Sequence, residues 1–302
     1  MRKALALLAA TALWAGGAQA QAQSGVAPPS IPLEYKVITT GPASLVANVT
    51  LVMGKKDAVL VDVPFTRADA LRVAAEVLDS GKTLKTIFIT HDHPDHFFGL
   101  DVLQDAFPDA RIVADPVAAK DMARSIPLKF KRWAAQLGSN APRRGVQPVA
   151  LAGNTIDLEG HKLEVLGPMQ GDHVHSTVLW DAEGRTLIAG DVLYNGVYVW
   201  LGEHGPAQYD AWLRTLDRLE ALQPVRVIAG HRQPGLPDDN MSIAWTRAYI
   251  TAFAAEAKGA KSSAELAARM ATRYPNATEV LGGFLLGISS KVGAGEIPPW
   301  DE

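Results

Sequence analysis

Thr90-His91-Asp92-His93-Pro94-Asp95-His96 places three imidazoles and two carboxylates directly after the apolar run Thr86-Ile87-Phe88-Ile89-Thr90. That run is short and rich in β-branched residues, which reads as a buried strand, so the polar cluster stands at a strand end. The chain has 8 histidines in 302 residues. Three of them this close together read as a ligand set rather than a scattering of surface residues. Imidazole and carboxylate donors suit borderline divalent metals, which take nitrogen and oxygen at about 2.0–2.2 Å. In a tight loop His91 and His93 can grip one ion while Asp95 and His96 turn toward a second, with Pro94 stiffening the turn between the pairs.

Outward from this loop, strand-like runs precede it at Tyr35–Thr40, Leu45–Met53 and Ala58–Val63. Thr66 is placed to cap a helix running to Ser80, with Ala68, Leu71, Ala75 and Leu78 at helical spacing and Gly81 closing it. After the loop come a helix over Phe97–Ala106, a strand over Arg111–Ala114 and a helix over Pro116–Leu137. The second half repeats the plan, with strands at Thr155–Leu158, Lys162–Leu166, Ser176–Trp180, Thr186–Ala189 and Val225–Ala229 and a helix over Ala207–Leu222. Two or three helices fill 241–302. Alternating strands and helices imply α/β layering. Gly171–His175, Asp191 and His231 also lie next to predicted strand ends, where loops on a rigid scaffold can converge.

Composition narrows the class. The chain is 48% hydrophobic and 20% charged, enough for a sizeable core, and its net charge of −3 argues against nucleic acid or an anionic membrane as partner. It has no cysteine, which excludes disulfides, a thiolate nucleophile and a cysteine-based zinc site. Met1-Arg2-Lys3, the apolar run Ala4–Ala15 and Ala18-Gln19-Ala20 have the layout of a secretory signal peptide, too short to span a bilayer. Cleavage near Ala20 would place the mature protein in the periplasm or outside the cell. It would also remove two positive charges, taking the net charge from −3 to −5. No other segment is apolar for long enough to cross a membrane, and the expected partner is a small-molecule substrate.

The string His-x-His-x-Asp-His after a strand resembles the signature of the metallo-β-lactamase-fold hydrolase superfamily, and the resemblance covers roughly residues 35–235. It implies a four-layer αββα sandwich with a dinuclear metal site at one edge between two sheets. The expected organisation is then a leader over 1–20, an extended linker over 21–34, the αββα domain over 35–240 and C-terminal helices packed on it over 241–302. By the same resemblance Asp191, in Leu187-Ile188-Ala189-Gly190-Asp191, matches the carboxylate that bridges the two metals. His231, in Ile228-Ala229-Gly230-His231, matches the last ligand of the second metal. The family usually has a histidine as the remaining ligand of the first metal. This chain instead reads Gly171-Asp172-His173-Val174-His175-Ser176, which leaves Asp172, His173 and His175 as alternatives in that order. The metal set is therefore His91, His93, Asp95, His96, Asp172 or His173, Asp191 and His231. Zinc is expected, with iron or manganese compatible, and more so if a carboxylate replaces the imidazole.

Two ions about 3.5–4 Å apart lower the pKa of a shared water, so a metal-bridging hydroxide replaces a protein nucleophile. The expected reaction is hydrolysis of an ester, lactone or amide, a β-lactam included, with Asp95 orienting the nucleophile or taking its proton. Tyr194, or the amide of Asn195, is expected to donate to the developing oxyanion. Asp191 speaks against the lactamase subclass that has cysteine there. The rival readings are an iron-dependent redox enzyme of the same fold, of the persulfide dioxygenase kind, and a non-catalytic metal-binding relative. His161 reads as a surface turn residue, and the stripe Trp245, Tyr249 and Phe253 as core.

Overall fold

Alternating apolar positions along each strand decide the layering. The computed structural model describes residues 32–300; the expected leader, and residues 21–31 of the expected linker, lie outside the described residues. The chain starts as an antiparallel meander of β1 (Glu34–Thr39), β2 (Asn48–Met53) and β3 (Asp57–Val61). Helix α1 (Arg67–Asp79) then crosses to β4 (Thr83–Ile89), parallel to β3. Helix α2 (Leu100–Ala106) leads to β5 (Arg111–Ala114), and α3 (Pro116–Leu137) leads to the short β6 (Val149–Ala150), extending a six-stranded sheet in the order β1 to β6.

The second sheet begins with β7 (Thr155–Leu158), β8 (His161–Met169), β9 (Ser176–Asp181) and β10 (Thr186–Ile188), all antiparallel neighbours. The chain continues through β11 (Tyr194–Asn195) and α4 (Pro206–Ala221) into β12 (Arg226–Ile228), which lies parallel to β10 and completes five strands. A two-residue strand β13 (His231–Arg232) pairs with β11 and brings His231 opposite Tyr194. Helices α5 (Met241–Gly259), α6 (Ser263–Arg273) and α7 (Phe284–Gly293) follow.

Because side chains on a strand alternate between faces, each sheet has two apolar surfaces. Val59 and Val61 of β3, Phe88 of β4 and Val113 of β5 meet Leu163, Leu179, Ile188 and Ile228 of the other sheet in one buried cluster. Their neighbours Leu60, Ile87, Ile112, Leu187 and Val227 belong instead to the cluster shared with helical residues such as Val73, Trp212 and Phe253. Helix, sheet, sheet and helix therefore stack as four layers, the expected α/β sandwich.

Thr66 caps α1 as the sequence predicts, its hydroxyl accepting from the Asp69 amide at 3.3 Å. The buried stripe of α1 differs from the expected one. Ala70, Val73, Ala74 and Val77 face the core, and Leu71 and Leu78 are 52% and 65% exposed. Both stripes have helical spacing, and the smaller side chains allow closer approach to the sheet. His161 also departs from expectation: it opens β8, is buried, and has Nδ1 3.0 Å from Glu183 Oε2. Tyr249 and Phe253 are core residues as expected, with Trp245 packed against them from a half-buried position. Among the described residues no helix is long and apolar enough to cross a membrane.

Candidate metal centre

The loop after β4 is held from below by Asp62, the residue that follows β3 and stands at φ +63°. Its carboxylate accepts from the Thr90 amide at 2.8 Å and from the Thr90 hydroxyl at 2.8 Å, and it meets His96 Nδ1 at 2.9 Å. Since the one hydroxyl proton of Thr90 goes to Asp62, His91 Nδ1–H must be the donor in its 2.9 Å contact with Thr90 Oγ1. That fixes the tautomer and leaves the lone pair of His91 on Nε2. His96 donates from Nδ1 to Asp62 in the same way, and His231 from Nδ1 to the Leu45 carbonyl at 2.9 Å. His93 is turned the other way. Its Nε2 lies 2.8 Å from Glu203 Oε1, which also accepts from Trp200 Nε1 at 3.1 Å, so Nδ1 faces inward. Every histidine of the cluster thus spends one nitrogen on an outer partner and turns the other to a common centre, as metal-ligating histidines do.

Two buried groups of potential ligands result: His91, His93, Asp172 and Asp191, and Asp95, His96, Asp191 and His231, with the ligand atoms of each group within 4.8 Å of one another. Asp191 belongs to both. In the first group His93 Nδ1 is 3.2 Å from Asp172 Oδ2, and His91 Nε2 is 3.8 Å from Asp172 and 3.7 Å from Asp191. In the second, His96 Nε2 and His231 Nε2 each stand 3.0 Å from an oxygen of Asp191, and His231 Nε2 is 3.3 Å from Asp95. Glycine makes this approach possible, because a Cβ on Gly230 would lie 2.0 Å from Asp191 Oδ1.

Metal ions fit these donors on one direct observation. His91 Nε2 and Asp172 Oδ1 are buried without a hydrogen-bond partner, and Asp191 Oδ1 makes no well-aligned hydrogen bond despite its nearness to His96. Orphaned buried polar atoms are costly and rare, and here three converge in one group. A cation would satisfy them together, and the nitrogen and oxygen donors suit zinc, iron or manganese. The electrostatics agree. Burial pushes the Asp172 carboxyl up to about 8, with His93 opposing the rise. Burial also works against charge on His231, but Asp191 outweighs it and raises His231 to about 10. Carboxylates packed this closely need compensating positive charge, from protons or from metal.

Among the alternatives for the remaining ligand, the structure brings Asp172 into the first group. His173 is not in it, and lies instead with Asp121 and His175 in a half-buried trio. His175 donates its amide to His173 Nδ1 at 3.1 Å, and its ring contacts Asp121 at 2.6 Å. Burial and the neighbouring His93 lower His173 to about 3. Tyr194 lines the cavity over the cluster. Its hydroxyl lies 2.6 Å from Asp172 Oδ2 and 3.1 Å from Asp191 Oδ2, so its single proton is committed to the ligand carboxylates rather than free for an oxyanion.

Three supports were not anticipated from the sequence. Asp62 ends a strand in an Asp-Val-Pro turn, which was a readable hint. Glu203 is the only acid between Asp191 and Asp210, a signal that becomes clear only once His93 is seen beside it. On α3, Ser125 and the buried Lys129 hold the Asp92 carboxylate at 2.7 Å and 3.0 Å, so Asp92 points away from the cluster and ties the loop to the helix.

The sequence profile of the metallo-beta-lactamase superfamily matches residues 44–231. No curated protein matches the chain. Among solved structures, a metallo-beta-lactamase family protein from Thermus thermophilus is similar at TM-score 0.62 and 19% identity, over 86% of this chain and 91% of that one. A metallo-beta-lactamase from Pontibacter korlensis is similar at TM-score 0.52 and 20% identity, over 68% and 87%. DIM-1 metallo-beta-lactamase is similar at TM-score 0.51 and 22% identity, again over 68% and 87%. At these identities the likeness is one of fold.

Proposed function

The chain belongs to the metallo-beta-lactamase superfamily, and from that premise we propose that it is a two-metal hydrolase that cleaves an ester, lactone or amide bond of a small molecule. The observation that carries this reading is the pair of buried four-residue groups joined through Asp191. His91, His93, Asp172 and Asp191 would hold one ion, and Asp95, His96, Asp191 and His231 the other. Divalent cations bound there supply Lewis acidity toward a carbonyl oxygen and acidify water. The chain's own residues do the rest. Asp95 lines the cavity above the cluster and is placed to take a proton from attacking water. Tyr194 holds Asp172 and Asp191 in register through its hydroxyl, and Glu203 fixes the ring of His93. No protein nucleophile is required, consistent with a chain lacking cysteine.

A second reading has one specific observation in its favour. Asp172 stands where the family usually has histidine, and an added carboxylate suits iron or manganese better than an imidazole does. An iron-dependent redox enzyme of this fold is therefore the rival. The signal-peptide layout of residues 1–20 supports export to the periplasm or beyond, and a mature N-terminus at Gln21 would establish its cleavage. The deciding experiment is metal quantification on purified protein, coupled to a panel of lactones, β-lactams, esters and phosphodiesters with and without chelator. Chelator-sensitive hydrolysis with two equivalents of zinc supports the proposal. Stoichiometric iron without hydrolysis supports the rival, and metal binding without turnover of any kind indicates a non-catalytic relative.

A further inference from the structure

The cavity over the cluster has a floor and walls of opposite character. His93, Asp95, Asp172, Asp191 and His231 form the floor, whereas Phe65, Trp133, Trp200, Phe284, Leu285 and Trp300 make the walls apolar. Its volume is about 60 Å³, narrow enough that a slim chain entering it meets the walls on several sides. The wall rings brace one another. Trp200 and Phe284 stack at 5.3 Å and 7°, and Phe284 meets Trp300 edge-on at 5.6 Å and Trp133 at 5.7 Å. Trp200 is further tied by its indole N–H to Glu203, the carboxylate that orients His93. A wall fixed in this way is preformed, so little ordering cost falls on binding.

Charge is distributed just as unevenly. Among the described lining residues there is no lysine or arginine. The nearby cations are engaged elsewhere: the Arg132 guanidinium lies 3.7 Å from the Trp300 ring centroid without lining the cavity, and Lys129 is held by Asp92. A substrate arm carrying a carboxylate or phosphate would lose hydration against these walls with no cation to pair with. An apolar arm would gain by leaving water.

We propose that the substrate is an uncharged ester or lactone whose apolar acyl arm lies against Trp200, Phe284 and Trp300. This rests on the hydrolase reading above. The acyl carbon–oxygen bond breaks, water gives its hydroxyl to the acyl carbon, and its other proton ends on the departing alcohol oxygen.

The test uses the metal-loaded protein and the 4-nitrophenyl esters acetate, butyrate, hexanoate and octanoate. The kcat/KM should rise about threefold per added methylene until the cavity is filled. The hydrogen suberate ester, equal in length to the octanoate but ending in a carboxylate, should be at least about tenfold slower than the octanoate. Trp300→Ala should lower the octanoate-to-acetate ratio about tenfold. A flat chain-length series, or a suberate as fast as the octanoate, overturns the proposal. Equilibrium dialysis with 4-nitrophenyl octyl ether, which has no acyl bond, separates the cavity from the chemistry. Ether binding that Trp300→Ala weakens, without turnover of any ester, lactone or amide, upholds the apolar site and refutes the hydrolase reading. Absence of both turnover and ether binding refutes the two together.

Discussion

His96 Nε2 and His231 Nε2 each lie 3.0 Å from an oxygen of Asp191, whereas His91 Nε2 stays 3.7 Å from Asp191 and 3.8 Å from Asp172. The two ligand groups share a carboxylate yet are built differently. The second is closed by pairs between its own members. The first is held open from outside, by Thr90 on His91, Glu203 on His93 and Tyr194 on Asp172, and its inward atoms His91 Nε2 and Asp172 Oδ1 have no hydrogen-bond partner. On taking a cation the first group gives up one close histidine–carboxylate contact, His93 Nδ1 with Asp172 Oδ2 at 3.2 Å, whereas the second must break three, His96 and His231 with Asp191 and His231 with Asp95. The first group should therefore bind its ion more tightly than the second.

The largest effect should come from the residue that the two groups share. Asp191→Asn should reduce bound zinc from two equivalents to one or fewer and lower kcat/KM by roughly a thousandfold, since several kcal/mol of transition-state stabilisation would go with it. Retention of both ions with a rate within tenfold of wild type would erase the distinction between groups bridged by Asp191 and groups that merely neighbour it. Next in size is the pair that divides the groups. Asp172→Ala should weaken the tighter of two zinc-binding steps about a hundredfold, and His231→Ala should weaken the looser one, read by chelator competition. His173→Ala should change either step by less than about threefold. If His173→Ala proves the more damaging, His173 takes the ligand role from Asp172. The smallest effect sharpens the role of the outer support. Glu203→Ala should cost about tenfold in affinity for the tighter ion. Glu203→Gln should cost much less, because an amide oxygen still accepts from His93 Nε2–H and Trp200 Nε1–H. Equal losses in the two variants would show that charge, rather than orientation of the ring, is what Glu203 provides.

What the sequence made legible follows from how local each signal is. His91, His93, Asp95 and His96 sit within one turn after β4, so their meeting needs no long-range knowledge. Asp191 and His231 come from distant segments, but each follows a strand and a glycine, and Gly230 is required by the packing of Asp191 against it. The order of Asp172 and His173 was open because a one-residue change of turn decides which side chain faces inward. Tertiary bonds hold the turn that brings Asp172 to the first group: Asp172 N–H donates to the Asp191 carbonyl at 3.2 Å and Gly171 N–H to the His173 carbonyl at 3.0 Å. Glu203 lies 110 positions from His93, and nothing local marks it. The face of α1 was misread because two stripes of equal periodicity compete, and only the sheet beneath chooses between them.

Anomalous diffraction from crystals grown with zinc tests the central claim most directly. Two peaks are expected, one among His91, His93, Asp172 and Asp191 and the other among Asp95, His96, Asp191 and His231, with the first better occupied at limiting zinc. A single peak beside Asp121, His173 and His175, with neither Asp191 group occupied, would contradict the account.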